Sequence, residues 1–331
     1  MVSIEELLKR VQQADTETGR QWILLELQMS QMPKSLVSML WAAAIPHFFD
    51  ENILAALRPE LTDEAEKLFA NLQSLTFVEE FPGYGYNIHE LTRKVLLSKL
   101  WQQDREEFLL LSKRAANYFF GIKASSEEDV EFAYHEILNE ECAPSERLIE
   151  KTIDWWRYCQ IDRIQAVLQA LSEHERAERL DVFGYIVSLY LTGLVKRYSA
   201  KYKEAEVLFI RGLEEYEKQS DKNPRYLVML LRDISSSKSD QGDIQGAISI
   251  CEQSLKICKE QLGDKHLDTA SSLNNLAGLY ESQGRYSEAE PLSLEALEIN
   301  KVKLGERHPD TARSLNNLAA LYRSQGRYSE A

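Results

Sequence analysis

His266-Leu-Asp-Thr-Ala-Ser-Ser-Leu-Asn-Asn-Leu-Ala-Gly-Leu-Tyr280 and His308-Pro-Asp-Thr-Ala-Arg-Ser-Leu-Asn-Asn-Leu-Ala-Ala-Leu-Tyr322 are two copies of one pattern. Each continues Ser-Gln-Gly-Arg-Tyr-Ser-Glu-Ala, from Ser282 to Ala289 and from Ser324 to Ala331, which sets a period of 42 residues. A fixed period in this range signals stacked supersecondary units. Carried backwards, the phase puts Gly242 and Ala247, and before them Ala200 and Ala205, at the places of Gly284 and Ala289, so two diverged copies precede the clear ones.

Within a copy, Leu273, Leu276, Ala277 and Tyr280 fall at helical spacing, Gly284 interrupts, and Ala289, Leu292, Ala296 and Leu297 resume the pattern. The unit is a helix, a short turn and a second helix. Ala277, Ala289 and Ala296 permit close approach of the two helices, while Leu273, Leu276, Tyr280 and Tyr286 fill the space between them. One pair cannot bury this much apolar surface, so the copies must stack. Residues 262–331 resemble a tetratricopeptide array of the 42-residue kind found in kinesin light chains, and 182–261 carry the same pattern more weakly. The resemblance implies an all-α, right-handed superhelix of helix–turn–helix repeats with a groove that binds a protein or peptide. Because Ala331 holds the place of Ala289, where a second helix begins, the array is expected to continue beyond it.

Composition agrees with this class. The chain has 331 residues, 44% of them hydrophobic, with only 14 Gly and 8 Pro, enough for two or three compact units or one extended superhelix that is mostly α. A net charge of −14 and a pI near 5.1 argue against general polyanion binding. The N-terminus has no basic segment followed by an apolar one, and Leu36 to Ile45 is too short to cross a bilayer. The reading is therefore a cytoplasmic chain with no membrane partner. Cys142, Cys159, Cys251 and Cys258 show no Cys-x-x-Cys spacing, and Cys251 and Cys258 stand two helical turns apart, so reduced structural thiols are expected.

Four segments follow from the pattern. Residues 1–32 read as amphipathic helices, the expected tail of a larger module. Residues 33–100 read as three helices and a hairpin with its turn at Pro82-Gly-Tyr-Gly85, which is a winged helix. The third helix is expected to start at Thr62, with a hydroxyl cap and acids in its first turn. Residues 101–181 are a helical connector, and 182–331 are the repeat array. Phe132, Tyr134, His135 and Ile137, with Trp155, Trp156 and Tyr158, make the connector rich in aromatics, read as packing between helices.

The segment 33–100 looks like the winged-helix region of signalling NTPases with an NB-ARC (STAND) module, in which the hairpin leads into a Met-His-Asp motif. Here Ile88-His89-Glu90 occupies that place. The resemblance implies that His89 contacts bound nucleotide, but only if a nucleotide-binding domain is supplied elsewhere, because no Gly-x-x-x-x-Gly-Lys-Ser/Thr loop occurs in the chain.

Nothing marks a catalytic nucleophile, and no paired Cys/His cluster suggests a metal. The chain reads as no enzyme, with no cofactor. Asp268 and Asp310 are expected to cap the helices that follow them. From Ser35 to Leu100 there are 9 acids against 5 bases, which disfavours nucleic acid as a partner. The remaining surface is the inner face of the array: Ser271, Asn274, Gly278, Glu281 and Ser282, then Arg313, Asn316, Ala320, Arg323 and Ser324, and one repeat earlier Met229, Arg232, Ser236, Ser239 and Asp240. Asn274 and Asn316 offer donor and acceptor to a peptide backbone, with Arg232, Arg313 and Arg323 drawing an acidic partner. The expected function is a protein-interaction scaffold or sensor, the regulatory part of a STAND-type signalling protein. The alternative is a winged-helix DNA-binding transcription regulator with the array as effector domain.

Overall fold

The computed structural model describes residues 4–121, 126–138, 146–220 and 222–331; Cys142 lies outside them. Two compact units divide the chain: an N-terminal unit of Met1–Glu140 with Gln169–Arg179, and a repeat unit of Glu141–Leu168 with Leu180–Ala331. The segment 101–181 is shared between them.

The N-terminal unit opens with α1 (Ile4–Gln13) and α2 (Glu17–Ser30), the latter capped by the Thr16 hydroxyl accepting from the Gly19 amide at 3.0 Å. Next come α3 (Lys34–Ala44) and α4 (Glu51–Leu57), where the Asp50 carboxylate accepts from the Ile53 amide at 2.7 Å. A 3-10 turn (Pro59–Glu64) precedes α5 (Ala65–Gln73). Thr62 was expected to cap that helix, but Pro59 starts the turn earlier and the Thr62 hydroxyl donates to the Pro59 carbonyl at 2.9 Å.

Strands β1 (Val78–Phe81) and β2 (Gly85–Ile88) pair antiparallel, with Val78 opposite Ile88 and Phe81 opposite Gly85. Phe49, between α3 and α4, bridges to Tyr86 through two backbone hydrogen bonds of 2.7 and 2.9 Å. Gly85 has φ +99°, and a Cβ there would sit 2.5 Å from the Phe49 carbonyl oxygen, so this close pairing demands glycine. Helices α6 (Glu90–Gln103), α7 (Arg105–Gly121) and α8 (Ser126–Glu136) complete the run. Met39, Leu40, Phe49, Leu57, Leu72, Leu96, Leu111 and Phe132 are buried in this unit.

Helices α9 (Glu146–Arg157) and α10 (Ile161–Arg176) lead to the array. The pairs are α11 (Val182–Tyr198) with α12 (Tyr202–Glu217), α13 (Pro224–Asp240) with α14 (Ile244–Ile257), and α15 (Leu267–Ser282) with α16 (Tyr286–Leu304), followed by α17 (Pro309–Ser324). A π-helical turn, Cys258–Leu262, extends α14.

Small residues recur where the helices of a pair approach. Gly193, Ser235 and Ala277 stand on the first helices, and fully buried Ala205, Ala247 and Ala289 on the second. The Ser235 hydroxyl donates to the Ala247 carbonyl at 2.8 Å, and a Cβ on Gly193 would come within 2.5 Å of the Phe209 ring. Leu276, Ala277 and Tyr280 share one core with Ala247, Ile248 and Cys251 behind them and Leu318 and Leu321 ahead, so the apolar core runs unbroken from α14 to α17. The turn between paired helices takes a left-handed residue: Gly242, Gly284 and Gly326 have φ of +86°, +72° and +76°, and Ala200 has +57°. Among the described residues no helix is long and apolar enough to cross a membrane.

Candidate functional site

The first helices of the repeats, α11, α13, α15 and α17, line one groove with the sides they do not turn to the core. Each starts on a side-chain cap: Asp181 accepts from the Gly184 amide at 2.7 Å and Asn223 from the Arg225 amide at 2.9 Å. In the two clear copies the caps are His266 and His308, whose Nδ1 atoms accept from the Asp268 and Asp310 amides at 3.1 and 3.2 Å. The expectation that Asp268 and Asp310 cap is thereby corrected. Both lie inside the first turn, and their carboxylates turn to arginines: Asp268 to Arg225 at 3.0 Å, Asp310 to Arg313 at 2.9 Å and Arg157 at 3.4 Å.

Two cavities run along these helices, of about 550 and 350 Å³. They share Arg197, Ser236, Asn274, Asn275 and Asn317, which makes them parts of one groove. Arg232, Ser271 and Arg313 line the larger, and Ser239, Asp240, Gly278, Glu281 and Ala320 the smaller. Asn274 touches both, yet its amide donates to the Ser314 hydroxyl at 2.9 Å, which also accepts from Asn300 at 2.9 Å, so this residue ties one repeat to the next. Asn275 and Asn317 are the exposed amides of the groove. Asn316 and Arg323 are exposed outside both cavities, and Met229 is buried in the core. Glu281 accepts from the Ser324 hydroxyl at 2.7 Å, a second link between copies.

The larger cavity is nearly neutral despite its arginines. Arg157, Arg197, Arg225, Arg232 and Arg313 face Glu150, Asp154, Asp233, Asp268 and Asp310. Arg197 pairs with Asp240 at 2.9 Å and Asp233 at 3.3 Å, and Asp233 also accepts from the buried Tyr190 hydroxyl at 2.7 Å. Burial and the Asp233 carboxylate push the Tyr190 hydroxyl well above its usual range. Burial works against the Arg232 charge, but Asp233 and Tyr190 more than offset it and hold its pKa above the ordinary value. Arg157, Arg197 and Arg225 were missing from the face read from the sequence: Arg157 precedes the array, Arg225 falls on the repeat position of Leu267 and Pro309, and Arg197 falls on that of Ser239, Glu281 and Arg323, one copy before that face begins.

A second constellation lies in the N-terminal unit. The side chain of Glu131, 3% exposed, accepts from the His47 amide at 3.2 Å, lies 2.5 Å from His47 Nδ1, and is 3.4 Å from His135 Nε2. His47 Nε2 is 3.2 Å from Glu173, which also accepts from Arg93 at 3.0 Å and from the Tyr134 hydroxyl at 3.2 Å. Arg93 further donates to the carbonyls of Ala44, Ile45 and Pro46 at 3.0–3.1 Å, closing the end of α3. Burial raises the Glu131 and Glu173 carboxyls, but the neighbouring His47 imidazole, with Arg93 beside Glu173, holds both well below the usual range. Burial and Arg93 lower the His47 pKa, and the two carboxylates overcome them to raise it. His135 and His174 are lowered, chiefly by burial, and the Tyr134 hydroxyl is pushed up to about 12. His89, by contrast, stands exposed at the junction of β2 and α6, its amide donating to the Phe77 carbonyl at 2.8 Å.

Among the aromatics expected to pack between helices, Phe132, Tyr134 and Trp155 are buried, the first two in the N-terminal unit and the third in the repeat unit, while Tyr158 is 60% exposed. Cys251 and Cys258 are buried free thiols and Cys159 is an exposed one.

No curated protein matches the chain significantly. Among solved structures it is similar to BtubC (BKLC) from P. vanneervenii, 19% identical, with a TM-score of 0.41 over 63% of this chain and 70% of that one. A putative kinesin light chain with nearly identical TPR-like repeats from Podosopora anserina is 19% identical, with a TM-score of 0.42 over 55% of this chain and 86% of that one. A signal transduction ATPase with numerous domains and a tetratricopeptide repeat sensor, from Pyrococcus horikoshii, is 12% identical, with a TM-score of 0.43; the match covers 96% of this chain and 58% of that one. Residues 226–301 and 283–331 match the family model of the tetratricopeptide repeat, and the helix pairs there stack as repeats of that type.

Proposed function

We propose that the chain is a protein-interaction module that holds a protein or peptide segment in the groove along α11, α13, α15 and α17. The observation that carries this is the continuity of two cavities over successive repeats, with exposed Asn275 and Asn317 at equivalent places. Amides spaced by one repeat can bond a partner's backbone with little demand on its sequence. Since the arginines of the groove already face carboxylates, selectivity comes from exchanging those pairs rather than from net positive charge.

The signalling context rests on residues 33–100. Helix, bridge at Phe49, two further helices and hairpin follow in the order of a winged helix, and exposed His89 stands where a nucleotide domain supplied elsewhere would find it. In this reading the chain is the regulatory and sensor part of a STAND-type protein.

The test is capture of a partner by the full chain, followed by Asn275→Ala with Asn317→Ala. Each lost hydrogen bond is worth about 0.5–1.5 kcal/mol, so the double substitution should weaken binding roughly tenfold. Unchanged affinity would remove the groove from consideration.

A further inference from the structure

Helix α9 is not part of any repeat, yet it forms one wall of the larger cavity. Glu150, Asp154 and Arg157 recur at helical spacing on one stripe, and with Ile153 and Trp156 they line the space opposite the repeats. Leu148, Thr152 and Trp155 are buried on another stripe. The cavity-lining side of α9 meets three of the four first helices or their ends. Glu150 lies 3.5 Å from Arg225 at the start of α13, the Trp156 ring centroid lies 5.4 Å from the Arg197 guanidinium at the end of α11, and Arg157 lies 3.4 Å from Asp310 at the start of α17. Acid, aromatic and base thus each find a complementary group across about 10 Å of helix.

The Glu150 end of this face is the easier to release: Glu150 is 59% exposed, and so open a pair holds little energy, whereas Arg157 and Asp310, 29% and 15% exposed, hold the other end. The smaller cavity continues the same groove without any α9 residue in its lining, which leaves an incoming segment a place to start.

We propose that α9 is an in-chain occupant of the groove, and that the partner it stands in for is an amphipathic helix. That helix carries an acidic, an aromatic and a basic residue in the order of Glu150, Trp156 and Arg157, and displaces α9 when it binds. The proposal rests on the groove being the partner-binding face, and it adds what kind of segment the groove takes. A tethered occupant competes at the effective concentration that its connection through α10 imposes, so the free groove binds more tightly than the intact chain.

The experiment uses the full chain and a fluorescein-labelled peptide of residues 146–157. A release variant combines Glu150→Arg, Trp156→Ala and Arg157→Glu, which leaves the repeats untouched. The peptide should bind the release variant roughly tenfold or more tighter than the unaltered chain. Adding Arg225→Glu to the release variant should remove several-fold of that gain. In amide exchange, residues 147–157 should exchange faster in Arg225→Glu alone and slow again when Glu150→Arg is added, a rescue that a folding defect would not give. Equal peptide affinity for the release variant and the unaltered chain, or the absence of rescue in the charge swap, overturns the proposal. Neither measurement needs a captured partner, so failure here is separate from failure of the Asn275 and Asn317 test.

Discussion

The N-terminal unit and the repeat unit are both helical, but they are held together in different ways. In the repeat unit the same few contacts recur at fixed spacing, and the core passes from one copy to its neighbour through Ala247, Ala277, Ala289 and Leu318. Its stability is a sum of similar local terms. In the N-terminal unit a group of charges from distant parts of the chain meets once, around Glu131 and Glu173. A repeat tolerates local change because its neighbours remain; a single buried network does not.

The sharpest way to break this contrast is Arg93→Ala. It removes a side chain that is 6% exposed and bound to Glu173 and three carbonyls, leaving the Glu173 carboxylate to the His47 imidazole and the Tyr134 hydroxyl and the carbonyls without this donor. The expected loss is about 3–5 kcal/mol. In thermal unfolding followed by circular dichroism, the transition of the N-terminal unit should fall while that of the repeats stays. A single transition shifted as a whole would show that the two units do not unfold separately.

Acid should act on the same unit. Glu131 and Glu173 have folded pKa values below the ordinary 4.5, so their contribution is present above that value and is lost as the pH falls beneath it. His135 and His174 lie below the ordinary 6.5, so the unfolded chain takes up their protons first and stability declines as the pH drops through 6.5. His47 has the opposite sign: raised above 6.5, it contributes fully below that value and loses its contribution as the pH rises. As the pH falls from 7 towards 4.5, two imidazoles lose against the one that gains, and the carboxylates add their loss only below 4.5. The transition sensitive to Arg93→Ala should therefore move to lower temperature on acidification, most steeply below 4.5, with the repeat transition moving less.

The smallest effect sharpens the other half of the contrast. Ala200 holds with φ +57° the place that Gly242, Gly284 and Gly326 fill in later copies. Ala200→Gly should stabilise the first repeat by about 1 kcal/mol, read as a rise in its denaturant midpoint. A loss of stability would mean that the alanine methyl makes a contact worth more than the strain.

The same contrast explains what could be read from the chain directly. Paired helices were legible because the small and large residues alternate at a period that repetition makes visible four times over. The groove was legible as a face but not residue by residue. Asn274 and Asn275 are neighbours in sequence, and a rotation of about 100° on the helix decides which one ties repeats together and which faces out. The capping histidines were missed because Asp is the commoner cap, and only the backbone geometry shows that His266 and His308 precede the first turn. The network of the N-terminal unit had no local signal at all: His47 and Glu173 are 126 residues apart. The place of α9 was hidden for the same reason.

At the joint between successive copies, the Thr269 hydroxyl donates to the Gly263 carbonyl at 2.8 Å, and one period later Thr311 donates to Gly305 at the same distance. Both threonines are fully buried. A bond shared by two joints can be cut and rejoined: duplication or deletion of the 42-residue stretch between them keeps this hydrogen bond at the joint that results. The length of the groove is then a quantity that recombination can adjust in whole steps, while the N-terminal unit, whose parts fit only one another, is inherited as a block.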